Sequence, residues 1–142
     1  MHRDTERRLL QGVILAACMV PLLAGGAGVT QGPAMLRGID PGGASLDLDS
    51  HFRYLSGLLL GFGLAFLSCL PAIEKRTMLF RGLGLIVVVG GLARLYSALA
   101  LGFPGPGHIF GLAMELGTVP ALVLWQARIA RLYARDAASQ TR

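Results

Sequence analysis

Charge is scarce in this sequence. Asp, Glu, Lys and Arg make up 15% of its 142 residues, and only eight are acidic, where a soluble domain carries roughly 25% charge. With 54% hydrophobic residues and a mean hydropathy of +0.60, the chain does not read as a water-soluble domain. Cysteine is limited to Cys18 and Cys69, both inside apolar runs and without CxxC spacing. That excludes a disulfide framework, a zinc ribbon and a dithiol redox centre together. There is one Trp, and no aromatics are interleaved with a basic stripe. The net charge of +5 and the pI near 10 therefore do not point to nucleic acid, because the basic residues collect at the ends of apolar runs. No Walker loop, HExxH or Ser/His/Asp arrangement occurs.

Glycine, at 20 residues, and long apolar runs are what is present. Four runs, about 9–29, 52–72, 79–101 and 108–126, are each near the ~20 residues that a bilayer span needs. The expected fold is all-α: a four-transmembrane-helix antiparallel bundle in one integral membrane domain, residues 1–142. Small residues suit close helix packing in lipid. In the first run, Leu15-Ala16-Ala17-Cys18 matches a lipoprotein cleavage box. The apolar core before Cys18 is short, however, and Met19-Val20-Pro21-Leu22-Leu23 continues apolar past it, so an uncleaved first span is the reading. The loop 30–51 contains Pro33-Ala34-Met35-Leu36-Arg37-Gly38, with Pro at a helix start and Gly beyond its end, and predicts a short interfacial helix. Asp49 or Ser50 is placed to cap the second span. Within that span, Gly57-x-x-x-Gly61 permits close approach of another helix, in the bundle or in a homodimer.

Orientation follows from Lys and Arg. Ten lie near the N-terminus, in the 74–81 turn or in the tail, against Arg37 and Arg53 on the other side. This bias predicts both termini in the cytoplasm, and the chain as a multi-pass protein of the bacterial inner membrane.

Two charges then stand out within apolar sequence. Arg94 lies eight residues before Gly102, and Glu115 eight residues after Gly107. The connecting Gly102-Phe103-Pro104-Gly105-Pro106-Gly107 permits only an antiparallel hairpin, so at ~1.5 Å per residue both charges sit about 12 Å below the same outer face. A lone charge there costs roughly 2.5–3.5 kcal/mol or more, and pairing removes that cost. Gly90, Gly91 and Ser97 share a helix face with Arg94, and His108, Gly111 and Thr118 share one with Glu115. Asp49, His51, Arg53 and Tyr96 fall at the same outer level. Arg53, Arg94, Ser97, Glu115, Tyr96, His51, His108 and Asp49 thus form the candidate ligand-binding set. Three readings of the pair stay open: a clamp that sets hairpin register, a polar pocket for a small ligand, lipid headgroup or ion, and two separately snorkelling charges. His51, His108 and Asp49 are too sparse for a metal, and neither histidine lies within a span for haem; no metal or cofactor is expected.

The series Ser50-His51-Phe52-Arg53-Tyr54-Leu55-Ser56-Gly57, Arg81, Gly90-Gly91-Leu92-Ala93-Arg94-Leu95-Tyr96-Ser97, Glu115 and Trp125-Gln126 resembles the small bacterial membrane proteins grouped as domain of unknown function 4345 (DUF4345), over about residues 9–132. The resemblance implies a four-helix integral membrane fold, distantly similar to DoxX-type proteins, with emphasis on Arg53, Arg94 and Glu115. It implies no activity. A non-enzymatic accessory protein or a binder of a small polar ligand or lipid headgroup from the outer side is the expected function. The alternative is a small transporter or channel gated by the same pair, for which no inverted repeat or second-leaflet path is visible. A membrane enzyme has only the polar cluster in its favour.

Overall fold

The computed structural model describes residues 3–36 and 43–140. Arg37 and Gly38, which entered the interfacial-helix and charge-bias expectations, lie outside the described residues. Among the described residues every regular element is helical: α1 (Arg3–Gln31), a 3₁₀ turn (Gly32–Met35), α2 (Leu46–Cys69), a 3₁₀ turn (Leu70–Ala72), α3 (Thr77–Leu101), α4 (Pro106–Ala113), a π-helical turn (Met114–Thr118) and α5 (Val119–Gln140). Among the described residues four stretches are long and apolar enough to cross a membrane, Arg3–Met35, Leu46–Ala72, Thr77–Leu101 and Pro106–Ser139. All four expected runs are therefore helices, and α4, the π turn and α5 share the last of them.

The helices overrun the apolar runs toward both chain ends, because polar residues at Arg3–Arg8 and beyond Trp125 continue them. Helix α2 also starts earlier than the hydropathy edge. Ser45 supplies its cap, accepting the Leu48 N–H on its hydroxyl at 3.2 Å, so Asp49 and Ser50 lie inside the first turns instead of capping them. At the end of α3, Gly102 adopts φ 103° and its N–H returns to the Ala98 carbonyl at 3.0 Å. The left-handed φ is what ends the helix there, and glycine alone takes it without strain.

The chain forms two compact units, Gly12–Ser68, and Met1–Gln11 with Cys69–Arg142. In the first, α1 and α2 run antiparallel at backbone contact. A Cβ added at Gly25 would come 2.6 Å from the Leu60 nitrogen, one at Gly28 would overlap the Ser56 side chain, and Gly63 faces Leu22. Contacts at 22, 25 and 28 meet 63, 60 and 56 in falling order, the mark of an antiparallel pair. The expected glycine pair is not the one at this interface: nothing lies within 4 Å of a Cβ at Gly61, and Gly57 meets only a Val29 methyl at 4.0 Å. Sequence spacing shows that two glycines share a stripe, but not which way the stripe turns.

In the second unit, α3 packs against α4, the π turn and α5. Gly84, Gly91 and Ala98, seven residues apart, are buried, while the adjacent heptad of Leu85, Leu92 and Leu99 is 66%, 53% and 71% exposed. Small residues inward and leucine outward is the pattern expected when the surrounding solvent is lipid, where association depends on close packing and not on sequestering apolar area. Larger side chains fill one end: Leu10, Cys69, Ile73, Phe80 and Ile129 are at most 1% exposed. Both cysteine side chains are buried.

That end is also tied by polar groups. Gln126, fully buried, donates to the Ile73 carbonyl at 2.8 Å and the Thr77 hydroxyl at 3.0 Å. Arg7 donates to Glu74 and to the Pro71 carbonyl, both at 2.8 Å. Trp125 Nε1 and Arg128 Nε both reach Glu6 Oε1, at 3.2 and 3.0 Å, and the Tyr133 hydroxyl donates to Asp4 at 2.6 Å. Arg3 pairs with Asp136 and stacks 4.4 Å above the Tyr133 ring. The start of α1 is thereby stitched to α5 and to the turn before α3.

Candidate functional site: a forked arginine–glutamate pair on a hairpin

Arg94 and Glu115 meet. The guanidinium donates through Nε to Glu115 Oε2 and through Nη2 to Oε1, each at 3.0 Å, a two-bond fork that holds both the distance and the plane of the carboxylate. A third nitrogen, Nη1, lies 3.0 Å from His108 Nδ1. Arginine can only donate, so Nδ1 must accept and the imidazole carries its proton on Nε2, an assignment made from the bond partners. The remaining N–H on each terminal nitrogen of Arg94 has no partner among the described residues. Side-chain exposure is 35% for Arg94 and 19% for Glu115.

Local structure explains the approach. Gly91 lies under Glu115, where an added Cβ would fall 2.8 Å from both Glu115 Cβ and Leu116 Cδ2. Gly111 lies under the guanidinium, its Cβ position 3.8 Å from Arg94 Cζ. Of the two glycines before Arg94, Gly91 admits the base of the Glu115 side chain and Leu116; nothing lies within 4 Å of a Cβ at Gly90.

Glu115 itself sits in the π turn Met114–Thr118, which the sequence reading missed. The Val119 N–H bonds to the Met114 carbonyl, five residues back. One residue later comes Pro120, which has no N–H and whose ring excludes the Leu116 carbonyl from its ordinary place. Widening the turn by one residue relieves that conflict, and turns of this kind recur at functional sites. Pro120 within an apolar run was the available signal. The extra residue shifts the phase of α5 by about 100° relative to α4, so the 3/4 spacing that put Thr118 on the face of Glu115 does not carry across the turn.

Other predicted residues are placed as follows. Ser97 is exposed and Tyr96 is 75% exposed; neither joins the fork. In the α1–α2 unit, Arg53 forks onto Asp49 at 2.8 and 3.1 Å. Its Nη1 also donates to the Val29 and Thr30 carbonyls at 2.5 and 3.1 Å, satisfying the open C-terminal end of α1. Gly32, at φ +61°, makes room for this: a Cβ there would be 2.5 Å from Asp49 Oδ1. His51 is exposed. Among the described residues no group of three or more His, Cys, Asp or Glu side chains could hold a metal ion.

Four membrane-length apolar helices among the described residues, with a charge pair held between glycines on one hairpin, define the class: a multi-pass helical membrane protein. Within that class, the family model described as Domain of unknown function (DUF4345) matches residues 9–126, and the chain belongs to this family. Neither the search of curated proteins nor that of solved structures returns a match.

Proposed function

We propose that this protein is a non-enzymatic small-ligand or lipid-headgroup binder of the bacterial inner membrane, with both termini cytoplasmic and the Arg94–Glu115–His108 cluster opening to the outer side. One observation carries the reading: Arg94 engages Glu115 and His108 through three N–H groups, yet keeps two donors unpartnered and a third of its side chain accessible. A pure clamp gains nothing from unpartnered donors in an apolar surround, whereas a carboxylate or phosphate oxygen would satisfy both. Tyr96 and Ser97, two and three residues after Arg94 on α3, belong to the same outer level in this reading. The Lys and Arg bias supports the orientation, and a periplasm-dependent reporter in the 102–107 turn should be active and silent at the C-terminus.

The site is tested by native mass spectrometry of the protein extracted with its lipids. Arg94→Lys keeps the charge and removes the planar fork. A co-purified molecule present on the unaltered protein and lost from Arg94→Lys, at unchanged helicity, is the expected result. Equal retention by both, or no retained molecule on either, refutes the binding role and leaves the pair as a register clamp.

A further inference from the structure

A second polar surface lies on α5, at the end opposite the hairpin turn. Arg128, Arg131, Leu132 and Arg135 follow one another at i, i+3, i+4 and i+7, which puts all four on one helix face. They line an open cavity of about 300 Å³, at the small end of ligand sites. Arg128 is anchored at one edge by Glu6 at 3.0 Å. Arg131 donates only to the Ala127 carbonyl of its own helix, at 3.2 Å, and no carboxylate pairs with Arg131 or Arg135 among the described residues. The groove therefore carries two uncompensated positive charges beside a partly neutralised third, with Leu132 as its apolar floor.

We infer that this groove binds the phosphate headgroup of an anionic phospholipid in the adjacent leaflet. Depth favours that occupant. Taking Trp125 as the last residue of the apolar run, Arg128, Arg131 and Arg135 stand about 4.5, 9 and 15 Å further along the helix. The headgroup layer adds roughly 5–7 Å to each side of the hydrocarbon core, and arginine side chains reach several ångströms along their helix. The three guanidinium groups thus bracket the phosphate level, and Leu132 meets the acyl boundary. Single-stranded nucleic acid would need aromatic faces to stack on. The nearby aromatics are engaged, Trp125 with Glu6 and Tyr133 with Asp4 and Arg3. This site is independent of the Arg94 cluster, and either can fail without the other.

The single Trp, three residues before Arg128, supplies the readout. The full chain is reconstituted with brominated phosphatidylglycerol or brominated phosphatidylcholine, and quenching of Trp125 gives their relative affinity. The unaltered protein should prefer the anionic lipid, and Arg131→Gln with Arg135→Gln should lower that preference by on the order of fivefold per arginine. Both arginines are exposed, and Arg131→Lys with Arg135→Lys, which keeps the charge, should retain most of the preference. Removing an equally exposed charge elsewhere, Arg81→Gln, should leave it within about twofold, since a charge outside the groove acts only through the screened field. No preference in the unaltered protein, or an equal loss in Arg81→Gln, overturns the inference. Displacement of the lipid by inorganic phosphate at constant ionic strength would assign the groove to free phosphate and overturn it as well.

Discussion

Removing Glu115 should damage the protein more than removing Arg94, although Glu115 is the more buried of the two. The pair is joined by two bonds of 3.0 Å, and hydrogen bonds to charged groups are worth about 1.5–3 kcal/mol each. Exposures of 35% and 19% place it between the surface regime, at about 0–1 kcal/mol, and the buried one, where loss of one partner costs about 3–5 kcal/mol. Arg94→Ala leaves a carboxylate that can take a proton, whereas Glu115→Ala leaves a guanidinium that cannot release one. We expect losses of about 3 kcal/mol for Glu115→Ala and about 2 for Arg94→Ala. The double variant should be near 3 kcal/mol, so a coupling of about 2 kcal/mol remains. Reversible unfolding in mixed micelles, followed by helicity and Trp125 fluorescence, measures all three. Losses that add to within ~0.5 kcal/mol, or a reversed order of the single variants, would refute this account of the fork.

Three further outcomes follow from the packing. Gly91→Ala should destabilise the α3 hairpin by about 1–3 kcal/mol, as overpacking does, because its Cβ would fall 2.8 Å from Glu115 and Leu116; Gly90→Ala, in open space, should be neutral or stabilising by about 0.5–1 kcal/mol. A thermal-shift comparison of the two separates them. Gln126→Leu leaves the Ile73 carbonyl and Thr77 hydroxyl without their shared donor and should cost about 1–3 kcal/mol in the same assay. At Glu74, burial works to raise the pKa, but a backbone hydrogen bond and Arg7 outweigh it and hold the carboxyl below its ordinary value of 4.5. A depressed carboxylate contributes stability that is present above its unfolded pKa and lost as pH falls through the folded one. Acid titration should therefore show a stability loss below about pH 4.5, and Arg7→Gln should shrink it.

The four helices and the meeting of Arg94 with Glu115 were legible in the residue order. Apolar runs of bilayer length have one way to satisfy their backbone in lipid, which is to become helices. A short Gly/Pro turn then equates distance along the chain with depth, so two charges eight residues from the turn had to arrive level. Residue order also carried the need for small residues beside each charge. What it did not carry was azimuth. Gly90 and Gly91 are neighbours in sequence, but only the rotation of α3 against α4 decides that Gly91 admits Glu115 and Gly90 faces outward. The π turn at Glu115 has the same character: Pro120 forbids one hydrogen bond, and the packing around it selects a widened turn over a kink. The expected cap at Asp49 gave way to Ser45 because α2 begins at Leu46, which places Asp49 inside its first turns, where its carboxylate accepts from Arg53. The Glu6–Trp125–Arg128 and Gln126–Thr77 ties join residues 49 to 122 positions apart. Contacts of that span leave no local pattern, since they depend on which side chains the folded helices bring to the same place.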